Sequence, residues 1–364
     1  MKITVPTLLV DKKKCLTNIK FMSDKAKKHN LIFRPHFKTP QSIEIGNWYR
    51  EFGVDKITVS SLRMAEYFAA DGWHDITVAF PVNILEIDRI NSLAERITLN
   101  ILITSEETAI ILNEKLKHKV NFLIKIDTGT HRAGIEAKNR NEIDEIFTES
   151  NKSDKLIFKG FLAHSGHTYK ANSIDEVKQI HEESLSILSK LKNIYKKDFP
   201  QLIISIGDTP SCSLMDNFDG ADEIRPGNFL FYDLQQWKIG ACSLDKIAVV
   251  MACPVVSKNE ERNEILIYGG GVHFSKEVSI LDDGTPYFGY VVKLNKDGWE
   301  LPDKKSYMHA LSQEHGLIKA SDELFNSSKI GDVLGILPIH SCMTADCMKK
   351  MFTLEGEKIK MMTY

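Results

Sequence analysis

The feature that most restricts the fold is a regular alternation of two patterns over the first two thirds of the chain. Short, nearly continuous apolar runs fall at residues 7–10, 31–37, 56–60, 75–80, 97–103, 121–127, 158–164, 201–206 and 228–232. Parallel strands covered on both faces read this way. Between them, residues 13–29, 41–52, 61–71, 83–95, 106–116, 141–148 and 173–195 carry helical spacing. Glu106 and Glu107 sit in the first turn of one such stretch, where they suit the positive end of a helix. Strand and helix alternating over about 230 residues imply a parallel sheet. With roughly eight units, the α/β pattern predicts a closed TIM-type (β/α)8 barrel rather than an open doubly wound sheet.

The pattern changes near Gly240. Apolar runs at 247–252, 264–268, 287–292 and 332–336 are separated by turn signals such as Asp282-Asp283-Gly284 and Asn295-Lys296-Asp297-Gly298. The expected division is a barrel over residues 1–240 and a smaller, mainly antiparallel β-domain over 241–364. The N-terminal strand is free to pair with that second domain. No internal repeat or low-complexity linker separates the two parts.

Composition narrows the function classes. The chain of 364 residues has a formal net charge of −2, with 26% charged residues of both signs interspersed. That balance argues against a dedicated nucleic-acid or membrane-surface role. Lys12, Lys13 and Lys14 read as the start of a solvated helix face. The first ten residues lack the long apolar core of a secretory signal, and no stretch approaches 18 apolar residues. Six cysteines without framework spacing suggest free thiols in a reducing compartment. The expected location is cytoplasmic.

Five motifs could carry chemistry. Arg34-Pro35-His36-Phe37-Lys38-Thr39 places a lysine at the C-terminal end of an early strand. In a barrel that end is the catalytic mouth. A lysine among apolar walls can act as an amine nucleophile, including toward pyridoxal phosphate, although many strand-end lysines simply extend to water. Asp127-Thr128-Gly129-Thr130-His131-Arg132 follows another strand, and Arg132 could hold a carboxylate or lie against a planar cofactor. His164-Ser165-Gly166-His167-Thr168-Tyr169 gathers hydrogen-bonding groups on the same rim. Gly207-Asp208-Thr209-Pro210-Ser211 and Arg225-Pro226-Gly227-Asn228 follow the late strands, where barrel enzymes often hold phosphate through loop amides. In the second domain, His340-Ser341-Cys342 sets an imidazole and a thiol two residues apart, a pair that can share one divalent ion while leaving positions open. His315 lies upstream and could flank it.

In their shared order these motifs resemble the eukaryotic-type D-serine dehydratase and D-threonine aldolase family, which has the alanine-racemase-like barrel of fold type III pyridoxal-phosphate enzymes. The resemblance spans nearly the whole chain, from Pro6-Thr7 to Cys342. It implies pyridoxal 5'-phosphate joined to Lys38 as a Schiff base. It implies phosphate binding near Gly207, Thr209, Gly227 and Asn228, and places Arg132 and Tyr169 near the cofactor ring or substrate. It implies Zn2+ or another divalent metal on His340 and Cys342, close to a substrate β-hydroxyl, and a homodimer. A His-x-Cys pair favours the dehydratases, which suit zinc because thiolate is a soft ligand. The aldolases resemble His-x-Asp instead. Three positions depart from the family pattern: Pro40 replaces a usual histidine, residues 269–276 replace an Ala-Gly-Ser-Lys pattern, and Asp208 stands where a hydroxyl residue is common.

The expected reaction is loss of water from a small D-3-hydroxyamino acid such as D-serine, giving a 2-oxo acid and ammonia. Lys38 is the candidate base at Cα, and the metal polarises the departing hydroxyl. Retro-aldol cleavage, racemisation and a non-catalytic pyridoxal-phosphate-binding protein are the alternatives. No nucleic-acid or membrane partner is expected.

Overall fold

The computed structural model describes residues 2–363. By contacts the chain divides into two compact units, Lys20–Gly227 and a second that joins the chain up to Ile19 with Asn228 onward.

In the first unit eight strands follow one path: Ile32–Phe33, Glu223–Ile224, Ile203–Ile206, Leu156–Leu162, Val120–Asp127, Thr98–Ile103, Asp75–Pro81 and Lys56–Val59. Every neighbouring pair is parallel. The two ends of the path then meet. His36 forms a parallel bridge with Thr58. The Phe37 N–H donates to the Thr58 carbonyl at 2.8 Å and the Thr58 N–H to the Pro35 carbonyl at 2.9 Å. The sheet is therefore closed, and the alternating pattern of the sequence is that of a (β/α)8 barrel. Serine hydroxyls cap the helices that follow several strands: Ser61 accepts from the Met64 N–H, Ser105 from Thr108 and Ser173 from Glu176.

One barrel strand differs from the sequence expectation. The last strand is Glu223–Ile224, whereas the apolar run at 228–232 opens with a 3-10 turn over Asn228–Leu230. Phe229, Leu230 and Phe231 are fully buried, which explains the run, but they pack in the second unit. The true strand escapes a hydrophobicity reading because half of it is a charged residue. Glu223 is 1% exposed and accepts from Arg34 Nε at 2.6 Å. Arg34 Nη1 donates in turn to Asp75 Oδ1 at 2.7 Å. Asn100 donates to Asp75, and Asn121 donates to Asn100. Near the N-terminal strand ends the barrel interior is thus a hydrogen-bonded polar layer. Leu102, Leu123 and Leu162 form an apolar cluster further along the strands.

In the second unit the sheet runs Glu264–Tyr268, His315–Lys319, Tyr307–Leu311, Gly289–Asn295, Val333–Pro338, Val249–Asn259, Thr7–Val10, Lys350–Thr353 and Lys358–Lys360. Glu264–Tyr268 also pairs with Val249–Asn259, so that part of the sheet returns on itself. All pairs are antiparallel except that of Thr7–Val10 with Lys350–Thr353. Tyr307–Leu311 and His315–Lys319 are absent from the sequence reading, because both are short and interrupted by histidine or lysine.

Arg34 carries the buried pairs of the polar layer. Removing one member of a buried ion pair leaves the other charge uncompensated, at a cost of roughly 3–5 kcal/mol. Arg34→Met is expected to lower unfolding stability by about that amount in urea titration, while Lys20→Ala, which loses only an exposed helix pair with Asp24, changes it by less than about 1 kcal/mol. Equal effects of the two substitutions would contradict this assignment.

Candidate functional site

The position of Lys38 is set by the residue before it. Phe37 is fully buried and packs against Tyr49, Phe68 and Trp73 with ring centroids 5.0–5.2 Å apart. This aromatic cluster ties the strand end to the following helices, so the lysine leaves the barrel at a fixed point. Its side chain is exposed, and its backbone N–H donates to His36 Nδ1 at 3.3 Å.

Lys38 lines a cavity of about 340 Å³ together with His36, Lys125, Arg132, His164 and Arg225. No carboxylate is among the lining residues. Burial pushes the imidazoles of His36 and His164 well below their ordinary range, and the nearby Lys38 charge pushes in the same direction. Both are therefore neutral at pH 7. Burial also lowers Lys125, with help from Arg225 and Arg132, to about 8. Arg225 falls to about 10 through burial, opposed by Glu223. A pocket with this lining favours an anionic occupant.

Arg132 is presented by a loop curled around Asp127. The Asp127 carboxylate accepts from the N–H groups of Gly129 and His131. Although burial opposes it, these bonds hold the carboxyl below its usual range. Gly129 and Gly134 have φ of +115° and +116°, a conformation that favours glycine.

The late loops form a second cluster within the same unit. Tyr169 Oη accepts from the Thr209 N–H at 3.1 Å. A Cβ on Gly207 would lie 2.8 Å from the Arg225 backbone, and one on Gly227 would lie 2.9 Å from the His36 carbonyl and 3.2 Å from Thr39 Oγ1. These glycines let the loops after the last two strands close against the lysine loop. Among the described residues Thr209 Oγ1 and Ser211 Oγ are buried without a geometric hydrogen-bond partner, although the Ser211 hydroxyl lies close enough to the Asp208 carboxylate to influence it. Asp208 is turned away from this opening: its Oδ1 caps the Ser211 N–H at 2.8 Å and accepts from Thr168 Oγ1 at 3.0 Å. Its Oδ1 is thereby occupied by groups of the chain itself. Two orphaned hydroxyls beside closely approaching glycines suit a phosphate group, and the cation-lined cavity with Lys38 suits an anionic aldehyde cofactor. The residues fit pyridoxal phosphate.

In the second unit, His340 precedes the helix Ser341–Met348. Burial alone would lower its imidazole, but the hydrogen bond and charge of Cys342, aided by Asp233 and Glu277, raise it to about 9. Asp233 Oδ2 accepts from the Ser341 N–H at 2.9 Å and from the Asn228 amide at 2.6 Å. The same amide reaches Cys342 Sγ at 3.5 Å. Asn228, read from the sequence beside Gly227, thus commits its amide to the His340–Cys342 segment. His315 lies exposed on a strand, paired through its backbone with Tyr268. The departing segment 269–276 includes the short helix Gly271–Phe274, whose Phe274 carbonyl accepts from Thr344 Oγ1. Among the described residues no group of three or more His, Cys, Asp or Glu side chains converges. An imidazole and a thiol already in mutual contact fit a metal bound by two protein ligands with open positions.

The structure therefore brings Lys38 and Arg132 into one cavity, Tyr169 onto Thr209, Gly227 onto the lysine loop and Asn228 onto Cys342. The sequence reading assigned no part to Lys125 or His36, nor to the Arg225 side chain, and took His164 only as one of the hydrogen-bonding groups on the rim. Strand parity was the available signal for Lys125, which lies two residues before Asp127 on the same strand face. For Arg225 it was not, because the short strand Glu223–Ile224 does not register in the sequence.

Residues 10–235 match the family model described as alanine racemase, N-terminal domain, and residues 248–354 match the putative serine dehydratase domain. The D-serine dehydratase of Dictyostelium discoideum is 31% identical, over 94% of this chain and 91% of its own. The solved D-threo-3-hydroxyaspartate dehydratase from Delftia sp. HT23 superimposes with a TM-score of 0.91 at 22% identity, covering 100% of this chain and 98% of that one. The D-threonine aldolase from Filomicrobium marinum gives 0.82 at 19% identity, covering 99% and 95%. These two structures bear on the fold alone.

If the orphaned hydroxyls receive a phosphate, Thr209→Val with Ser211→Ala removes hydrogen bonds to a charged group, and pyridoxal-phosphate affinity measured by absorbance titration falls about tenfold or more. Unchanged affinity would place the phosphate elsewhere.

Proposed function

Since the chain belongs to the D-serine dehydratase and D-threonine aldolase family of alanine-racemase-like barrels, we propose that it is a pyridoxal-phosphate-dependent lyase. In this reading it eliminates water from a small D-3-hydroxyamino acid, with a divalent metal at His340 and Cys342. The observation that carries the reading is Lys38 at a cavity lined with cations and free of carboxylates.

Lys38 Nζ would hold the cofactor through its aldehyde carbon. Pyridoxal phosphate, when bound, supplies an electron sink for charge that develops at the substrate Cα. Thr209, Ser211, Gly207 and Gly227 would hold the phosphate, and Tyr169 braces the Thr209 amide. Lys38 Nζ would also take up the Cα proton within the cavity. Arg132 and Lys125 bind the substrate carboxylate; the neutral His36 and His164 line the wall without adding charge. His340 and Cys342 would hold the metal, which supplies Lewis acidity toward a β-hydroxyl. A thiolate ligand suits zinc. Asn228 and Asp233 fix the segment that carries this pair.

A homodimer and a cytoplasmic location belong to the same reading, as does the functional division of the chain at residue 240. All six cysteines are free thiols, as a reducing compartment would keep them. Among the described residues no helix is long and apolar enough to cross a membrane.

Purified protein loaded with pyridoxal phosphate and zinc is given D-serine, D-threonine and D-threo-3-hydroxyaspartate, with 2-oxo acid and aldehyde measured separately. A 2-oxo acid is the expected product; aldehyde alone would select retro-aldol cleavage. Lys38→Ala is expected to abolish the cofactor absorbance band and to lower kcat by at least on the order of 10²–10⁴-fold. Chelation is expected to stop turnover while the Lys38-dependent band persists. Full activity after metal removal would sink the metal assignment and leave the cofactor assignment standing.

A further inference from the structure

The polar layer at the start of the barrel strands does not end at Glu223. Arg34 Nε donates to Glu223 Oε2 at 2.6 Å, and the other carboxylate oxygen, Oε1, accepts from Ser205 Oγ at 2.6 Å. Ser205 Oγ accepts in turn from Arg225 Nε at 2.6 Å. Arg225 Nη2 donates to the Ala163 carbonyl at 2.6 Å. A continuous chain of hydrogen bonds therefore runs from Asp75 through Arg34, Glu223 and Ser205 to Arg225, which lines the cavity with Lys38.

The direction of each bond is fixed by chemistry. A guanidinium only donates and a carboxylate only accepts. The Ser205 hydroxyl, fully buried between them, must give its proton to Glu223 and its lone pair to Arg225. Charges alternate along the chain, so the two cations are balanced by two carboxylates. Glu223 and Arg225 lie two residues apart on one strand segment and share its inward face. With Nε and Nη2 committed, Arg225 Nη1 makes no hydrogen bond among the described residues and is left for an occupant of the cavity.

We propose that Glu223 is a positioning residue for Arg225: acting through Ser205 Oγ, it fixes the guanidinium so that Nη1 serves the ligand held at Lys38. The inference rests on the reading of the cavity as the pyridoxal-phosphate site. It also explains why a two-residue strand of a barrel carries a buried glutamate where aliphatic residues usually fill the interior.

The test compares Ser205→Ala, Glu223→Gln, their double variant and Tyr195→Phe. The last loses a hydrogen bond to Asp144 in the same unit, outside the chain described above. All are loaded with pyridoxal phosphate. Ser205→Ala leaves the ion pairs of Arg34 intact and removes only the link. It is expected to weaken cofactor or substrate binding about tenfold and to shift the cofactor absorbance maximum, with kcat less affected than KM. Glu223→Gln is expected to act in the same direction, and the double variant to be no worse than the poorer single one. Tyr195→Phe is expected to lower Tm without moving the absorbance maximum. A crystal structure of Ser205→Ala should show Arg225 displaced, a readout independent of any reaction. The proposal is overturned if Arg225 keeps its place and the spectrum is unchanged in Ser205→Ala, or if Tyr195→Phe shifts the spectrum as much. Absence of a Lys38-dependent band in the unsubstituted protein would instead defeat the functional reading, with the Arg225 geometry still open to the crystallographic test.

Discussion

The buried guanidinium of Arg34 is the interaction on which the barrel depends. Its strand lies between Glu223–Ile224 on one side and Lys56–Val59, then Asp75–Pro81, on the other. Arg34 therefore bridges strands on both sides of the seam where the sheet closes. Backbone pairing at that seam is sparse: a two-residue ladder toward Glu223–Ile224 and a single bridge at Thr58. Side-chain ion pairs to Glu223 and Asp75, with the Thr58 hydroxyl donating to the Arg34 carbonyl, supply the connection that longer ladders supply elsewhere. The desolvation cost of placing three charges there is offset because the Arg34 Nε and Nη1 bonds and both Glu223 oxygens are satisfied.

The same seam fixes the chemistry. Four residues beyond Arg34 the chain emerges as Lys38, after Phe37 has been anchored in its aromatic cluster. Two residues beyond Glu223 it emerges as Arg225, and Gly227 follows against the His36 carbonyl. A lysine amine, a guanidinium and a glycine-lined loop are thus delivered to one rim by two strands joined through one buried ion pair. The rigid part of the molecule lies below the rim, and the loops inherit their placement from it.

Much of this was readable before any coordinates. The alternation of buried strands and amphipathic helices dictates the barrel, because each pattern has its own period. The lysine after Phe37 is visible because it interrupts an apolar run at a strand end. What the sequence hid is what departs from hydrophobic patterning. Glu223–Ile224 is too short and too charged to register as a strand. The run at 228–232 registers only because Phe229, Leu230 and Phe231 are buried elsewhere. Lys125 and Arg225 look like ordinary charged residues until strand parity turns them into the barrel. Asp208 stands out only as a departure from the family pattern because a sequence does not reveal what a side chain bonds to; the structure shows it accepting from Ser211 and Thr168.

The cavity wall joins Lys38, Lys125, Arg132 and Arg225, with no acid among the lining residues. These cations repel one another across the cavity, and an anionic occupant relieves that repulsion. Occupancy then contributes to the stability of the folded state, rising with the logarithm of ligand concentration once the site is saturated. Folding and cofactor supply are thereby coupled. In a cell short of the cofactor, newly made chains would spend longer open to proteases, and the steady-state amount of the protein would track the vitamin that fills it.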